Sequence, residues 1–372
     1  MDRAKSVFSF FKKEAVLCIS AALALLSAFW VKPDGQYIEY INFRVLGLLF
    51  SLMVVVAGLK SSGVFDVIAR KLSMKCRKMR SLVLVLTGLC FVSSMFITND
   101  VALITFVPLT ISVLVMAGGE GYIIYTVILQ TVAANMGSML TPMGNPQNLF
   151  LADHYEMSMG EFFRTTVPVC AVSGLLLLLL ILPVGREEIS PDAGRREDSI
   201  DRKRLGLYLV LGVPAILSVF NVVHYLILTG LILLITLLFD RKVLTKIDWL
   251  LLLTFVMFFV FVGNVARIEE VRMFFGEITR GRELLVGVAA SQVISNVPAA
   301  MMLSNFTENG RELLLGVDIG GLGTPIASLA SLISYRLYAG SEGSRKGRYM
   351  MEFLLINFGL LGVLLCIWSF LI

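Results

Sequence analysis

Apolar residues fall into blocks of about twenty, set apart by short polar breaks, along almost the whole chain. A helix that crosses a bilayer needs about 20 mostly apolar residues. On that measure, spanning helices are predicted over 15–31, 43–60, 81–97, 101–117, 121–152, 165–184, 204–220, 225–239, 248–266, 284–303, 316–339 and 349–371. Connections are short, apart from a charged stretch from Gly185 to Arg204 that divides the chain near its middle. The run 267–283, where Arg and Glu alternate, reads as a solvated or interfacial helix. The predicted fold class is an all-α polytopic membrane protein.

Two of these blocks are interrupted in the same way. One carries Thr141-Pro142-Met143-Gly144-Asn145-Pro146-Gln147-Asn148, and the other Thr324-Pro325-Ile326-Ala327-Ser328-Leu329, each after a glycine-bearing approach. A second matched pair precedes them: Thr98-Asn99-Asp100 and Ser295-Asn296-Val297-Pro298. Proline and glycine can merely kink a single helix. Two matched pairs, with Asn in each of the earlier two, point instead to broken helices and re-entrant hairpins lining a binding site.

Composition supports the membrane reading. Hydrophobic residues make up 57% of the 372 positions and charged residues 16%, against about 25% charged in soluble domains. The net charge of +5 sits in short basic runs between apolar blocks, so it implies no nucleic-acid partner. Cys18, Cys76, Cys90, Cys170 and Cys366 have no paired spacing and only two histidines beside them, which indicates neither a disulfide framework nor a zinc site. The apolar run from Ala15 to Val31 lacks a small-residue cleavage site and is read as a retained helix, not a signal peptide.

Basic runs set the expected orientation. They are Arg3/Lys5/Lys12/Lys13, six residues from Arg70 to Arg80, the central linker, Arg241/Lys242/Lys246 and Arg345/Lys346/Arg348. All are expected on the cytoplasmic side of a cytoplasmic (inner) membrane, together with the N-terminus. That parity requires 81–97 and 101–117 to return to the side they left, either as a hairpin with its tip at 98–100 or as a full pair of crossings. Ile41-Asn42-Phe43 aligns with Ile247-Asp248-Trp249, and Val56-Ala57-Gly58 with Val262-Gly263-Asn264, at one constant offset of 206. The corresponding helices run in opposite directions, so the halves are expected to be inverted repeats. Repeat 1 covers 15–184, with hairpin tip 98–100 and broken helix 121–152. Repeat 2 covers 222–372, with hairpin tip 295–297 and broken helix 316–339. Residues 185–221 form a cytoplasmic linker and joining helix.

A broken helix frees N–H groups at one new end and carbonyls at the other. The first attract an anion; the second, with Ser, Thr and Asn oxygens, suit a hard cation such as sodium. Asp100 stands out, because a carboxylate at bilayer depth costs about 2.5–3.5 kcal/mol. It is a candidate to bind a coupling cation or a proton, with simple capping of the second hairpin limb as the alternative. Asn135 and Asp318, just before the two breaks, are weaker candidates. His154 and His224 read as structural.

At these residues the sequence resembles the ion-transporter superfamily, which holds citrate-transporter-like permeases, divalent-anion:sodium symporters and arsenite permeases. SNVPAAMML from Ser295 and TPIASLASLI from Thr324 resemble its second-half hairpin and broken helix. TPMGNPQNLFL from Thr141 is similar to its first-half break, and TNDVALITFVPL from Thr98 to the Asn-Asp form of arsenite permeases. Val297-Pro298 stand where dicarboxylate symporters place Thr. The resemblance implies an elevator-type carrier, often a homodimer, with hairpins and broken helices mobile against a scaffold. It carries over Thr98, Asn99, Ser295 and Asn296 as hairpin-tip residues for substrate and coupling ion, and Asp100, with Asn145 of the first break, for the coupling ion. Thr141, Pro142, Gly144, Asn145, Thr324, Pro325 and Ser328 carry over as broken-helix site residues.

The expected function is secondary transport of a small anion, a di- or tricarboxylate or an inorganic oxyanion, coupled to sodium or protons. Arsenite efflux or sodium/proton antiport is the alternative within transport, and an anion channel the alternative class. No motif of an enzyme is found and no organic cofactor is expected. The first half, with Asp100 and the richer break, is expected to hold the coupling ion more strongly.

Overall fold

The computed structural model describes residues 15–189 and 199–369. Arg3, Lys5, Lys12, Lys13 and most of the acidic and basic residues of the central linker lie outside the described residues. Among those described there are eighteen α-helices and no strand. The first half holds α1 (Ala15–Trp30), the short α2 (Gln36–Glu39), α3 (Phe43–Ser61) and the amphipathic α4 (Val64–Ser73). A helical pair follows, α5 (Met79–Ser93) and α6 (Asn99–Met116). Then come α7 (Ile123–Ser138) and α8 (Pro146–His154) on either side of a break, and α9 (Met159–Ile181). The second half holds α10 (Arg202–Val219), α11 (Tyr225–Phe239), α12 (Trp249–Ala266) and α13 (Glu269–Thr279). After them are the pair α14 (Glu283–Ile294) and α15 (Asn296–Leu303), the broken pair α16 (Gly310–Ile319) and α17 (Leu329–Ala339), and α18 (Lys346–Ser369).

Five helices, α3, α6, α9, α12 and α18, are long and apolar enough to cross a membrane. Outer faces along the chain agree with that setting: Phe29 of α1, Val210 of α10 and Leu355 of α18 are 80%, 70% and 69% exposed, an arrangement that lipid accepts and water does not. The chain is a multi-pass membrane protein.

Two helix starts lie upstream of the hydropathy blocks. α9 begins at Met159 because Ser158 caps it, accepting the Glu161 N–H at 3.2 Å. α16 begins at Gly310 because the Asn309 side chain accepts the Glu312 N–H at 3.3 Å. Each first turn is polar, so an apolar window misses it, while the capping residue marks it. The offset of 206 meets a shared local device: Asn42 caps α3 by accepting from Val45 N at 2.9 Å, and Asp248 caps α12 by accepting from Leu251 N at 2.9 Å.

The helices pack in two groups. α1 lies along α12, and α10 and α11 lie along α3. In the second group α5 and α6 pack on α7, α17 on α6 and α7, and α14 on α16, with α8 and α15 against each other. Small residues permit the closest approaches. A Cβ at Gly58 would stand 2.2 Å from the Tyr208 ring, and one at Gly137 only 2.1 Å from the Phe91 carbonyl oxygen.

The two helical pairs differ in build. α5 and α6 are joined by the five-residue turn 94–98, and α6 has 18 residues, about 27 Å of helix. α14 and α15 have 12 and 8 residues and are joined through Ser295 alone. Ser295 sits at φ 74°, ψ 152°, a region essentially reserved for glycine.

The basic stretches meet at one end. Arg80 donates from its backbone N–H to Gly185 O and from Nε to Val184 O. Tyr122 shares hydrogen bonds with Glu187 and Gly185. Arg204 forms a fork with Asp240, Nε to Oδ2 at 2.6 Å and Nη2 to Oδ1 at 3.0 Å, and Lys246 Nζ reaches Ser61 Oγ at 2.8 Å.

Candidate functional site

Each break is closed by the same two hydrogen bonds to the neighbouring helical pair. The Thr141 hydroxyl donates to Met95 O at 2.5 Å, and the Thr324 hydroxyl donates to Gln292 O at 3.1 Å. Asn99 N–H donates to Gly144 O at 3.2 Å, and Asn296 N–H to Ala327 O at 2.9 Å. A proline follows each threonine, so each chain leaves its helix, and it folds into a tight turn, Gly144 N–H donating to Thr141 O at 3.2 Å and Ala327 N–H to Thr324 O at 3.1 Å. The second half adds Gln292, which donates to Gly320 O and Leu322 O at 2.8 and 2.9 Å and accepts from Thr324 N at 2.8 Å.

The new N-termini follow at once. Asn145 caps α8, its side chain accepting from Asn148 N at 2.9 Å. Ser328 stands at the same position before α17 but turns its hydroxyl outward to Asn135 Oδ1, 3.0 Å away. Gly144 is fixed by space, since a Cβ there would lie 2.2 Å from Ser138 O. Pro142 is buried, and Pro325 is half-buried.

Asn135 joins the two halves. Its Oδ1 accepts from Asn99 Nδ2 at 3.2 Å and from the Ser328 hydroxyl, while its Nδ2 donates to Gly321 O and Ser331 Oγ, both at 3.4 Å. That uses the full capacity of a carboxamide. Asp318, 4% exposed, accepts from Gln147 Nε2 at 3.3 Å through Oδ1, and its Oδ2 has no hydrogen-bond partner among the described residues. These two residues, together with Gln147, Gln292 and Ser331, are the part of the site that the sequence underweights. Their signal was present, because a carboxylate and carboxamides inside apolar helices need partners.

The structure thus brings Thr98, Asn99, Gly144 and Asn145 together on one side of Asn135, and Asn296, Ala327 and Ser328 on the other. The Ser295 hydroxyl reaches Ala327 O at 3.4 Å. Asp100 corrects the capping alternative. The N-terminus of α6 has no side-chain cap, Asn99 Oδ1 takes the Asp100 N–H, and Asp100 Oδ1 is enclosed with no hydrogen-bond partner among the described residues. Three enclosed acceptor oxygens here have no hydrogen-bond partner among the described residues: Asp100 Oδ1, Asp318 Oδ2 and Asn148 Oδ1. The histidines are structural in their contacts, with His154 at 3.2 Å from Ser304 O and His224 capping α11.

Two of the cavities beside this region lie between α3 and α12. One, of about 450 Å³, runs between Met53, Val56, Ala57 and Lys60 of α3 and the segment Lys246–Leu251, and reaches Thr98, Asp100, Pro146 and Leu329. The other, of about 400 Å³, lies between Tyr40 and Asn42 on one wall and Phe259, Val262 and Gly263 on the other, and stops at Phe150, His154, Met301 and Asn305. The end of α3 thus meets the start of α12 in the first cavity, and the start of α3 meets the end of α12 in the second, so these helices run in opposite directions.

Buried helix breaks between spanning helices, with a cavity leading to them, are the anatomy of a multi-pass membrane transporter, and comparison with known proteins agrees. Residues 8–309 match the citrate transporter family, and the chain belongs to that family. It is 33% identical to an uncharacterized transporter of Methanocaldococcus jannaschii, over 90% of this chain and 92% of that one. It is 31% identical to the inner membrane protein YbiR of Escherichia coli, over 80% of each. The silicon efflux transporter LSI3 of Oryza sativa is 32% identical over 47% of this chain and 37% of its own length.

Proposed function

We propose that the protein is a secondary active transporter of a small anion across the cytoplasmic membrane, coupled to sodium or protons, working by an elevator mechanism. The observation that carries this reading is the meeting of both breaks and both hairpin tips around Asn135 and Asp318, with enclosed oxygens left unpartnered. An unpaired buried acceptor is costly, and a cation or a proton removes the cost. The N-termini of α8 and α17 and the neighbouring hydroxyls suit the anion.

Three features support inverted repeats and alternating access. The caps Asn42 and Asp248 are equivalent at the offset of 206, the same pair of hydrogen bonds closes each break, and the two cavities are lined by corresponding residues. The cavity that reaches the first hairpin tip is lined by Lys60 and Lys246, which sit where the basic runs are expected to face the cytoplasm, so this conformation is read as inward-facing. In this reading α1, α3, α10, α11 and α12 form the scaffold and a homodimer is expected.

The coupling test uses the site carboxylates. Uptake by Asp100→Asn and Asp318→Asn proteins is measured in proteoliposomes against external sodium and against pH. An altered sodium or pH dependence in at least one variant is expected. Unchanged dependence in both removes the carboxylates from coupling.

A further inference from the structure

α4 links the two helix groups, packing on α3 on one side and on α5 and α6 on the other. It cannot continue α3, because Gly63 turns the chain at φ 78°. As a ten-residue helix about 15 Å long, it follows directly from the end of a membrane-spanning helix. Its position is therefore the bilayer surface.

Its outer face has two adjacent strips at helical spacing. Ile68 and Leu72 form an apolar strip with Met74 beyond it, all exposed, while Val67, Ala69 and Ser73 are buried against the protein. Lys71 and Lys75 form a basic strip next to it, continued by the exposed Arg77 and Lys78. Among the described residues none of these four makes an ion pair. The matching segment of the second half is built differently. α13 also exposes an apolar row, Met273, Phe274 and Ile278, but its charges balance: Glu269, Glu270 and Glu277 stand with Arg272, Arg280 and Arg282, and Arg272 pairs with Glu269 at 3.0 Å.

We infer that α4 is a binding site for anionic lipid headgroups. Its apolar strip enters the acyl boundary while Lys71, Lys75, Arg77 and Lys78 gather phosphate headgroups of net negative charge. Charge complementarity selects this occupant, since zwitterionic headgroups offer no net attraction to four cations that make no ion pair among the described residues. The site exists on one face only, because α13 has the same apolar anchor without the excess charge. It fastens the link between the helix groups to one leaflet, and it does not depend on which solute is carried.

The test uses the full-length protein with Met74→Cys, and with Cys18 and Cys366 replaced by serine, labelled with bimane and reconstituted in phosphatidylcholine vesicles. A minor fraction of brominated phosphatidylglycerol or of brominated phosphatidylcholine is added, and quenching is compared. The phosphatidylglycerol is expected to bind at least about fivefold more tightly, the effect of one basic residue at an anionic surface. Lys71→Gln, Lys75→Gln, Arg77→Gln and Lys78→Gln together should bring the two lipids level, as should high salt with the basic residues intact. A label at Phe274→Cys on α13 should show no preference. Equal quenching by both lipids at position 74 of the lysine-bearing protein, or a preference unmoved by salt, overturns the assignment.

Discussion

Asn135→Ala strikes the bond pattern at its junction. The substitution leaves Asn99 Nδ2 and the Ser328 hydroxyl without their acceptor, and frees Gly321 O and Ser331 Oγ from two longer contacts at 3.4 Å. A buried group stripped of its partner costs about 1–3 kcal/mol, so the two donors together give about 2–6 kcal/mol. The Ser328 hydroxyl can rotate toward another acceptor, which places the expected loss near the lower end. At about 2 °C per kcal/mol, the unfolding midpoint in detergent should fall by about 4 °C or more. Uptake should fall further than stability, because Asn99 and Ser328 hold the hairpin tip against the second break. Asn135→Asp keeps the acceptor oxygens and should lose less of both. Midpoint and uptake both unchanged in Asn135→Ala would refute the junction.

Other positions give sharper contrasts. Ser295→Gly removes a backbone strain worth about 1–3 kcal/mol and loses only a 3.4 Å contact, so thermal unfolding of the purified protein should shift upward; a downward shift counts against the strained turn. Gly144→Ala forces a Cβ to within 2.2 Å of Ser138 O, and uptake should be lost even where folded protein is recovered by size exclusion. Arg204→Met leaves the Asp240 carboxylate, 8% exposed, without its fork. A loss near the lower end of about 3–5 kcal/mol is expected, seen as a lower midpoint, with uptake per folded molecule preserved.

Much of the fold was legible because lipid leaves few choices. Apolar blocks gave the helices, five of them long and apolar enough to span, and Thr-Pro and Asn gave the breaks and the turns between the paired helices. Helix starts at Met159 and Gly310 were displaced because their first turns are polar and depend on caps. The site was only half legible. Asn99, Gly144 and Ser328 are conspicuous as local breaks, whereas Asn135, Gln147, Gln292 and Ser331 lie within or at the start of regular helix and matter through partners as many as 196 residues away. The single-residue turn at Ser295 could not be read at all, since nothing in a serine announces a positive φ.

The central claim is a gradient-driven carrier whose site lies between hairpin tips and breaks. Its most direct test is uptake by the purified protein in proteoliposomes of citrate, succinate, sulfate, phosphate and arsenite, under imposed sodium or proton gradients. At least one anion should accumulate above its external concentration, saturate, collapse when the gradient is dissipated, and fail to accumulate in Asn99→Ala and Asn296→Ala. Non-saturating flux that ignores the gradient, or accumulation unchanged in both variants, would contradict the account.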